Sequence, residues 1–192
     1  TPFLHPELRK ALKSNHRPFY QHIGKGTVSI VSGGHDVSHS RVAVFQDVWC
    51  DVEGWIVNTQ TCAAVRNGGC PTTTPFKIPR DPPSFERVVT IAGKWTAGIW
   101  HFPMEALVGL AALVNDVDRV HVSQLNDYVL QWLAIVGISK EQVITGTIHA
   151  RELVVPEMGK CGTPTPHQLK WLVSKVSAKL PVLEANLAVL VK

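Results

Sequence analysis

The sequence predicts an α/β fold on an open sheet with parallel βαβ units, preceded by a small antiparallel meander. Three observations support this prediction. From residue 87 onward, short β-branched runs alternate with segments of helical periodicity, which is typical of parallel βαβ units. Before that point, β-branched runs follow one another without helices, which is typical of antiparallel hairpins. A segment rich in Pro, Gly and Cys, residues 58–86, separates the two patterns.

Composition narrows the class of protein. The 192 residues are 45% hydrophobic and 18% charged, a balance typical of a compact domain with a sizeable core. The formal net charge is +4, but Lys and Arg form no dense run, so we expect no nucleic-acid partner. The longest apolar runs are far shorter than the roughly 18–20 residues that a membrane span needs.

The amino-terminal half is predicted to contain the meander. Strands are expected over 27–31 and 41–45, and a hairpin over 47–57 that turns at Glu53-Gly54. In the long segment 58–86, repeated Pro residues prevent regular structure, and nearby Cys residues favour an ordered loop.

The four Cys residues allow disulfides or free thiols. Cys50, Cys62 and Cys70 lie close together and Cys161 follows much later, without the C-x-x-C spacing of a zinc site. One or two disulfides, Cys62–Cys70 or Cys50–Cys62, fit an oxidising compartment, and free buried thiols are an equal alternative.

The second half is predicted to alternate strands and helices with right-handed crossovers. Pro103 suits the first turn of the first helix, and Gly137 suits the end of the second. The predicted strands cover 87–92, 119–122, 143–145, 150–156 and 188–191, and the predicted helices cover 102–115, 126–136 and 167–179.

An ionisable pair lies where the strand 87–92 gives way to the most apolar helix. His101 and Glu105 are four residues apart, so one helix face carries both. Ligands of open α/β sheets bind at such strand–helix junctions. Trp95 and Trp100 precede the pair and can stack on a ligand, and core packing is at least an equal alternative for Trp100.

The stretch 95–113 resembles glycosyltransferase family 61. It reads Trp-x-x-x-x-Trp-His-Phe-x-x-Glu-x-Leu-x-x-Leu, and that family carries an aromatic-flanked His followed four residues later by an acidic residue. The resemblance covers residues 40–192. Further similar segments are 51–56 upstream and 128–133, 136–144, 150–156 and 166–172 downstream.

The resemblance implies a Rossmann-like open sheet, equivalent to one lobe of a GT-B glycosyltransferase. It divides the chain into an extension with the first strands (1–40), an acceptor-side lobe (41–180) and the start of a second lobe (181–192). In the family, the second lobe holds most of the nucleotide-sugar site, so we expect the donor to need a second lobe or a partner chain. Val108-Gly109 stands where the family has Pro-Arg, which removes one basic contact.

The function implied is that of an inverting, nucleotide-sugar-dependent glycosyltransferase. It would act on a glycan or glycoprotein hydroxyl in the Golgi lumen or another secretory compartment. Either Glu105 is the base and His101 orients the acceptor, or Glu105 fixes the tautomer of His101, which is then the base. Trp95 and Trp100 are candidate sugar contacts.

Charged side chains complete the predicted site. Lys94 and Arg119 are candidate contacts to phosphate or acceptor, with a solvated surface role as the alternative. Asp47, Asp51 and Glu53 lack the D-x-D spacing of a metal signature. We therefore expect no essential metal and no cofactor beyond the nucleotide sugar as co-substrate.

A non-catalytic interpretation stands beside this one. His101 and Glu105 can form a buried hydrogen-bonded pair that ties the helix to the preceding loop. The chain would then be a transferase-like lobe that serves as a structural or protein-interaction module.

Overall fold

The computed structural model describes residues 29–32, 41–60, 63–67, 79, 81–113, 117–159 and 162–179. In these ranges, eight strands form one mixed sheet in the order β4-β3-β2-β8-β5-β6-β7, with β1 also paired to β2. The strands are β1 (Ser29–Ser32), β2 (Arg41–Cys50), β3 (Trp55–Asn58), β4 (Ala63–Arg66), β5 (Ser84–Thr90), β6 (Val120–His121), β7 (Val143–Ile144) and β8 (Ile148–Pro156).

One half of the sheet is the predicted antiparallel meander. β1 and β3 each pair antiparallel with β2, and β4 pairs antiparallel with β3. At the β2–β3 turn, Asp51 Oδ1 accepts hydrogen bonds from the amides of Glu53 and Trp55, both at 2.9 Å. Gly54 completes the turn with a φ of +82°. This side-chain-capped turn confirms the predicted hairpin at Glu53-Gly54.

The other half is parallel, in the order β8-β5-β6-β7. A helical segment links β5 to β6, helix α1 (Asp127–Ile135) and a 3-10 turn (Lys140–Gln142) link β6 to β7, and helix α2 (Pro166–Ser177) follows β8. The predicted α/β class with strand–helix alternation is therefore confirmed, and the sheet is consistent with a Rossmann-like open sheet.

β8 joins the two halves because it pairs with β2 antiparallel and with β5 in parallel. Successive residues of these strands alternate between the two faces. Val89 and Val154 belong to the cluster that packs under the helices, whereas Val88 and Leu153 belong to the cluster on the opposite face. Both faces of the central strands are therefore buried, which explains their continuous apolar runs.

The predicted continuous helix over 102–115 is wrong in detail. The segment is a π-helical turn at Phe102–Ala106 followed by a 3-10 helix at Leu107–Ala112. Near the junction of the two turns, the Gly159 amide donates a hydrogen bond to the Glu105 carbonyl at 2.8 Å. A Cβ at Gly159 would lie 2.3 Å from the Met104 carbonyl oxygen, so only glycine permits this approach.

The structure tests some of the remaining predictions, and others fall outside the described residues. Cys50 is free and buried, so the alternative Cys50–Cys62 disulfide is wrong and a buried thiol stands in its place. The Cys62–Cys70 pairing, Cys161, most of the loop 58–86 and the strand 188–191 lie outside the described residues. None of the helices in the described part has the length and apolarity needed to span a bilayer.

The space around Gly54 yields a stability prediction. A Cβ at Gly54 would lie 2.8 Å from the Asn67 carbonyl oxygen and 3.0 Å from that of Ala92. Gly137 also has a positive φ, +93°, but nothing lies within 4 Å of a Cβ there. Gly137→Ala should cost about 1 kcal/mol from backbone strain alone, and Gly54→Ala about 3 kcal/mol.

Urea unfolding of the two variants and the wild type would measure the difference. Equal losses of unfolding free energy in the two variants would show that the β2–β3 turn does not pack closely against the end of β5.

Candidate functional site

His101 and Glu105 contact each other just beyond the carboxyl end of β5. Nδ1 of His101 lies 2.8 Å from Oε2 of Glu105. The Glu105 side chain is 4% exposed and that of His101 is 36% exposed. The buried carboxylate therefore accepts a hydrogen bond from Nδ1–H, and in this tautomer the lone pair of the imidazole lies on Nε2.

The π-helical turn creates this arrangement. His101 precedes the turn and Glu105 lies within it, with Pro103 near its start, where a missing backbone amide costs nothing. The hydrogen bond from Gly159 holds the Glu105 backbone to the chain that follows β8. Glu105 is thus held through its side chain by His101 and through its carbonyl by Gly159. Such π-helical turns are frequently found at functional sites.

The loop 93–101 carries His101 and is anchored at its base. Ser123, which follows β6, accepts a hydrogen bond from the Gly93 amide at 2.8 Å, and its hydroxyl lies 2.7 Å from that of Thr96. Thr96 also donates to the Gly93 carbonyl at 2.8 Å. The loops that leave the carboxyl ends of β5 and β6 are therefore tied together.

Three large apolar side chains on this loop face solvent. Trp95 is 51%, Ile99 81% and Trp100 61% exposed. The core alternative for Trp100 is therefore wrong. Gly162, in the loop after β8, lies directly against the indole, because a Cβ there would be 2.6 Å from Trp100 Nε1.

The two predicted basic contacts behave differently. Lys94 Nζ lies 5.4 Å from the centroid of the Trp95 ring, on the same loop as His101. Arg119 precedes β6, and its guanidinium donates to the Glu141 carbonyl in the turn before β7. The structure thus brings Lys94, Trp95 and Trp100 onto one loop with His101 and gives Arg119 a different partner.

A second polar cluster lies in the interior and was missed by the sequence analysis. His121 Nε2 donates to the Gly146 carbonyl at 2.8 Å, and Nδ1 accepts from the Thr90 hydroxyl at 3.0 Å. Cys50 Sγ lies 3.7 Å from both Thr90 Oγ1 and His121 Nδ1. Cys50 pairs with Ile148 at the start of β8, and its thiol reaches Thr90 at the end of β5.

Both ionisable members of this cluster are neutral at pH 7. Burial lowers the pKa of His121 to about 4, against a partly opposing hydrogen bond to Gly146. Burial, reinforced by the neighbouring Asp51 charge, raises the pKa of the Cys50 thiol well above its usual range. A protonated, inaccessible thiol is no nucleophile, so the cluster is structural.

No set of three or more His, Cys, Asp and Glu side chains converges as metal ligands would within the described ranges. Comparisons of this chain with protein-family models, with curated proteins and with solved structures each return no match. The function is therefore argued from the His101–Glu105 geometry and the loop that carries it.

The buried imidazole makes stability dependent on pH. The folded-state pKa of His121, about 4, lies below the ordinary histidine value of 6.5. As pH falls, His121 therefore takes up a proton in the unfolded chain before it does so in the folded protein. The contribution of neutral His121 to the free energy of unfolding is complete above pH 6.5 and is lost as pH falls toward 4. Its size is about 3 kcal/mol.

Chemical denaturation of the wild type and His121→Gln between pH 7 and pH 4 would test this. The variant should be less stable at pH 7 but lose less stability on acidification. If the unfolding free energies of the two proteins changed with pH in parallel, His121 would not titrate in this range.

Proposed function

We propose that this chain is the acceptor-side lobe of an inverting, nucleotide-sugar-dependent glycosyltransferase, with His101 as the base. The observation that carries the proposal is the contact between a buried Glu105 carboxylate and a partly exposed His101. This geometry favours one of the two assignments that the sequence left open. Glu105 is too buried to meet an acceptor, whereas Nε2 of His101 is not engaged by Glu105.

The position in the sheet supports a ligand site. The chain leaves β5 toward β6 on one side, while β8 lies on the other side of β5. Ligands of open α/β sheets bind outside the carboxyl ends of the parallel strands. The loops after β5 and β8 meet there, through Trp100 against Gly162 and through the Glu105–Gly159 hydrogen bond.

The proposed reaction is a single displacement. The acceptor oxygen attacks the anomeric carbon of the donor while its proton passes to Nε2 of His101. The bond from that carbon to the diphosphate oxygen breaks, and the nucleoside diphosphate leaves with the electron pair. Glu105 stabilises the imidazolium that forms, because its carboxylate already accepts a hydrogen bond from Nδ1–H.

The remaining groups on the loop have roles in binding. Trp95 and Trp100 expose indole faces on which sugar rings can stack. Lys94 lies beside Trp95 and supplies positive charge for phosphate or acceptor. The resemblance to family 61 adds the rest of the proposal: a GT-B lobe, a second lobe or partner chain for the donor, a glycan or glycoprotein acceptor, and the Golgi lumen or another secretory compartment.

Replacing the dyad should test the chemistry. With the full-length protein, His101→Ala should lower kcat about 10²- to 10⁴-fold, because the proton acceptor is lost. Glu105→Gln should lower kcat less, since the imidazole remains but is held less firmly and loses its negatively charged partner. Release of nucleoside diphosphate from a panel of nucleotide sugars, with glycan and glycopeptide acceptors, is the measurement.

His149→Ala serves as the matched control, because His149 stacks on Trp49 and hydrogen-bonds to Ser84 instead of joining the dyad. Full transfer activity in a folded His101→Ala protein would rule out the assignment of His101 as the base.

A non-catalytic protein-interaction module is the second candidate function. Ile99 favours it, because a branched aliphatic side chain that is 81% exposed gains little from a sugar and much from an apolar protein surface. In that case, nucleotide sugars should give no binding heat by calorimetry.

The surface itself can be tested in the same way. If the chain is an interaction module, Ile99→Asp should abolish the proximity cross-links that the protein forms in cells. Val173→Asp, at an exposed position of α2, should leave them intact. Binding of a nucleotide sugar with unchanged cross-links in Ile99→Asp would exclude the module.

A further inference from the structure

Tyr128, in the first turn of α1, reaches across to the loop that carries His101. Its hydroxyl donates a hydrogen bond to the Ile99 carbonyl. Ile99 precedes Trp100 and His101 directly in the chain. The hydrogen bond therefore acts on the backbone of the stretch that presents both the indole and the imidazole.

The phenol ring is itself held in place. Asn126 caps α1 by accepting the Val129 amide at 2.9 Å, which fixes the turn that carries Tyr128. The Tyr128 ring packs edge-on against Phe102, with centroids 6.4 Å apart, and against Trp132 at 6.5 Å. Phe102 is buried and adjoins His101 in sequence. The hydroxyl thus projects from a rigid support.

The loop needs such a support at this point. Ile99 is largely exposed, so its side chain contributes little packing to hold the backbone. Turn hydrogen bonds inside the segment, from Gly98 to Trp95 and from Phe102 to Gly98, shape the loop but do not attach it to the rest of the fold. Ser123 attaches its base, and Tyr128 attaches its far end.

We propose that Tyr128 is a positioning residue, whose hydroxyl fixes Ile99 and thereby sets where Trp100 and His101 meet the acceptor. This inference rests on the proposed function of the loop as an acceptor site. Loss of the hydroxyl leaves the loop ordered for a smaller fraction of the time. Acceptor binding then has to order it, which raises KM while kcat at saturation is unchanged.

Tyr128→Phe is the test variant, because it removes the hydroxyl and keeps the ring contacts. Ser174→Ala is the matched control, since it also removes one hydroxyl-to-carbonyl hydrogen bond, from Ser174 to Trp171 on α2. In Tyr128→Phe, amide hydrogen exchange at Gly98 and Phe102 should speed up about fivefold, the effect of one neutral hydrogen bond. The control should leave these amides unchanged.

A second readout separates positioning from a general loss of structure. The acceptor KM should rise about fivefold in Tyr128→Phe with kcat and the thermal midpoint close to those of the control. Unchanged exchange at Gly98 and Phe102 would overturn the inference, and so would faster exchange with an unaltered KM.

The two proposals fail in distinguishable ways. A wild-type protein that transfers no sugar would remove the proposed function and the acceptor role with it, while the exchange rates still decide whether Tyr128 orders the loop. An active wild type with no effect of Tyr128→Phe on exchange or KM would remove only the positioning role.

Discussion

The approach of Gly159 to the backbone of the helical segment is the constraint on which the candidate site depends. The Gly159 amide takes the Glu105 carbonyl, and no side chain could occupy that position beside Met104. At this bond the π-helical turn that carries Glu105 gives way to the 3-10 helix. That turn buries Glu105 and sets its carboxylate against His101. A contact between two backbones, one after β5 and one after β8, thus determines how an acid and a base face each other.

Two histidine-containing clusters among the described residues differ in how far they are buried. Both contain an imidazole with a partner on Nδ1. The His121 ring is enclosed on all sides and donates to a carbonyl through Nε2, which leaves it no free atom with which to react. The His101 ring instead donates through Nδ1 to the Glu105 carboxylate, and it reaches solvent. The two imidazoles thus differ in tautomer and in the environment of the second nitrogen, on which the proposed role of His101 depends.

The sequence allowed much of the fold to be predicted, because local signals determine it. The Glu53-Gly54 turn, the strand–helix alternation and the Gly137 helix end all depend on neighbouring residues. The contact of Gly159 with the π-helical turn could not be predicted, since that glycine lies far along the chain. For the site, spacing alone placed His101 beside Glu105. The partner of Arg119 and the network around His121 were missed because strand pairing, which no local pattern reports, creates both contacts.

The place of β8 in the sheet has a consequence for biosynthesis. Val42 pairs with Pro156, so the meander finds its neighbour only after nearly all of the described chain has been made. At about 5–20 residues per second, the edge of β2 waits several seconds on the ribosome for β8 to emerge. The parallel unit β5–β7 waits for the same strand. β8, the last of the described strands to leave the exit tunnel, therefore closes both halves at once, and until then each exposes an unpaired edge that a chaperone can cover.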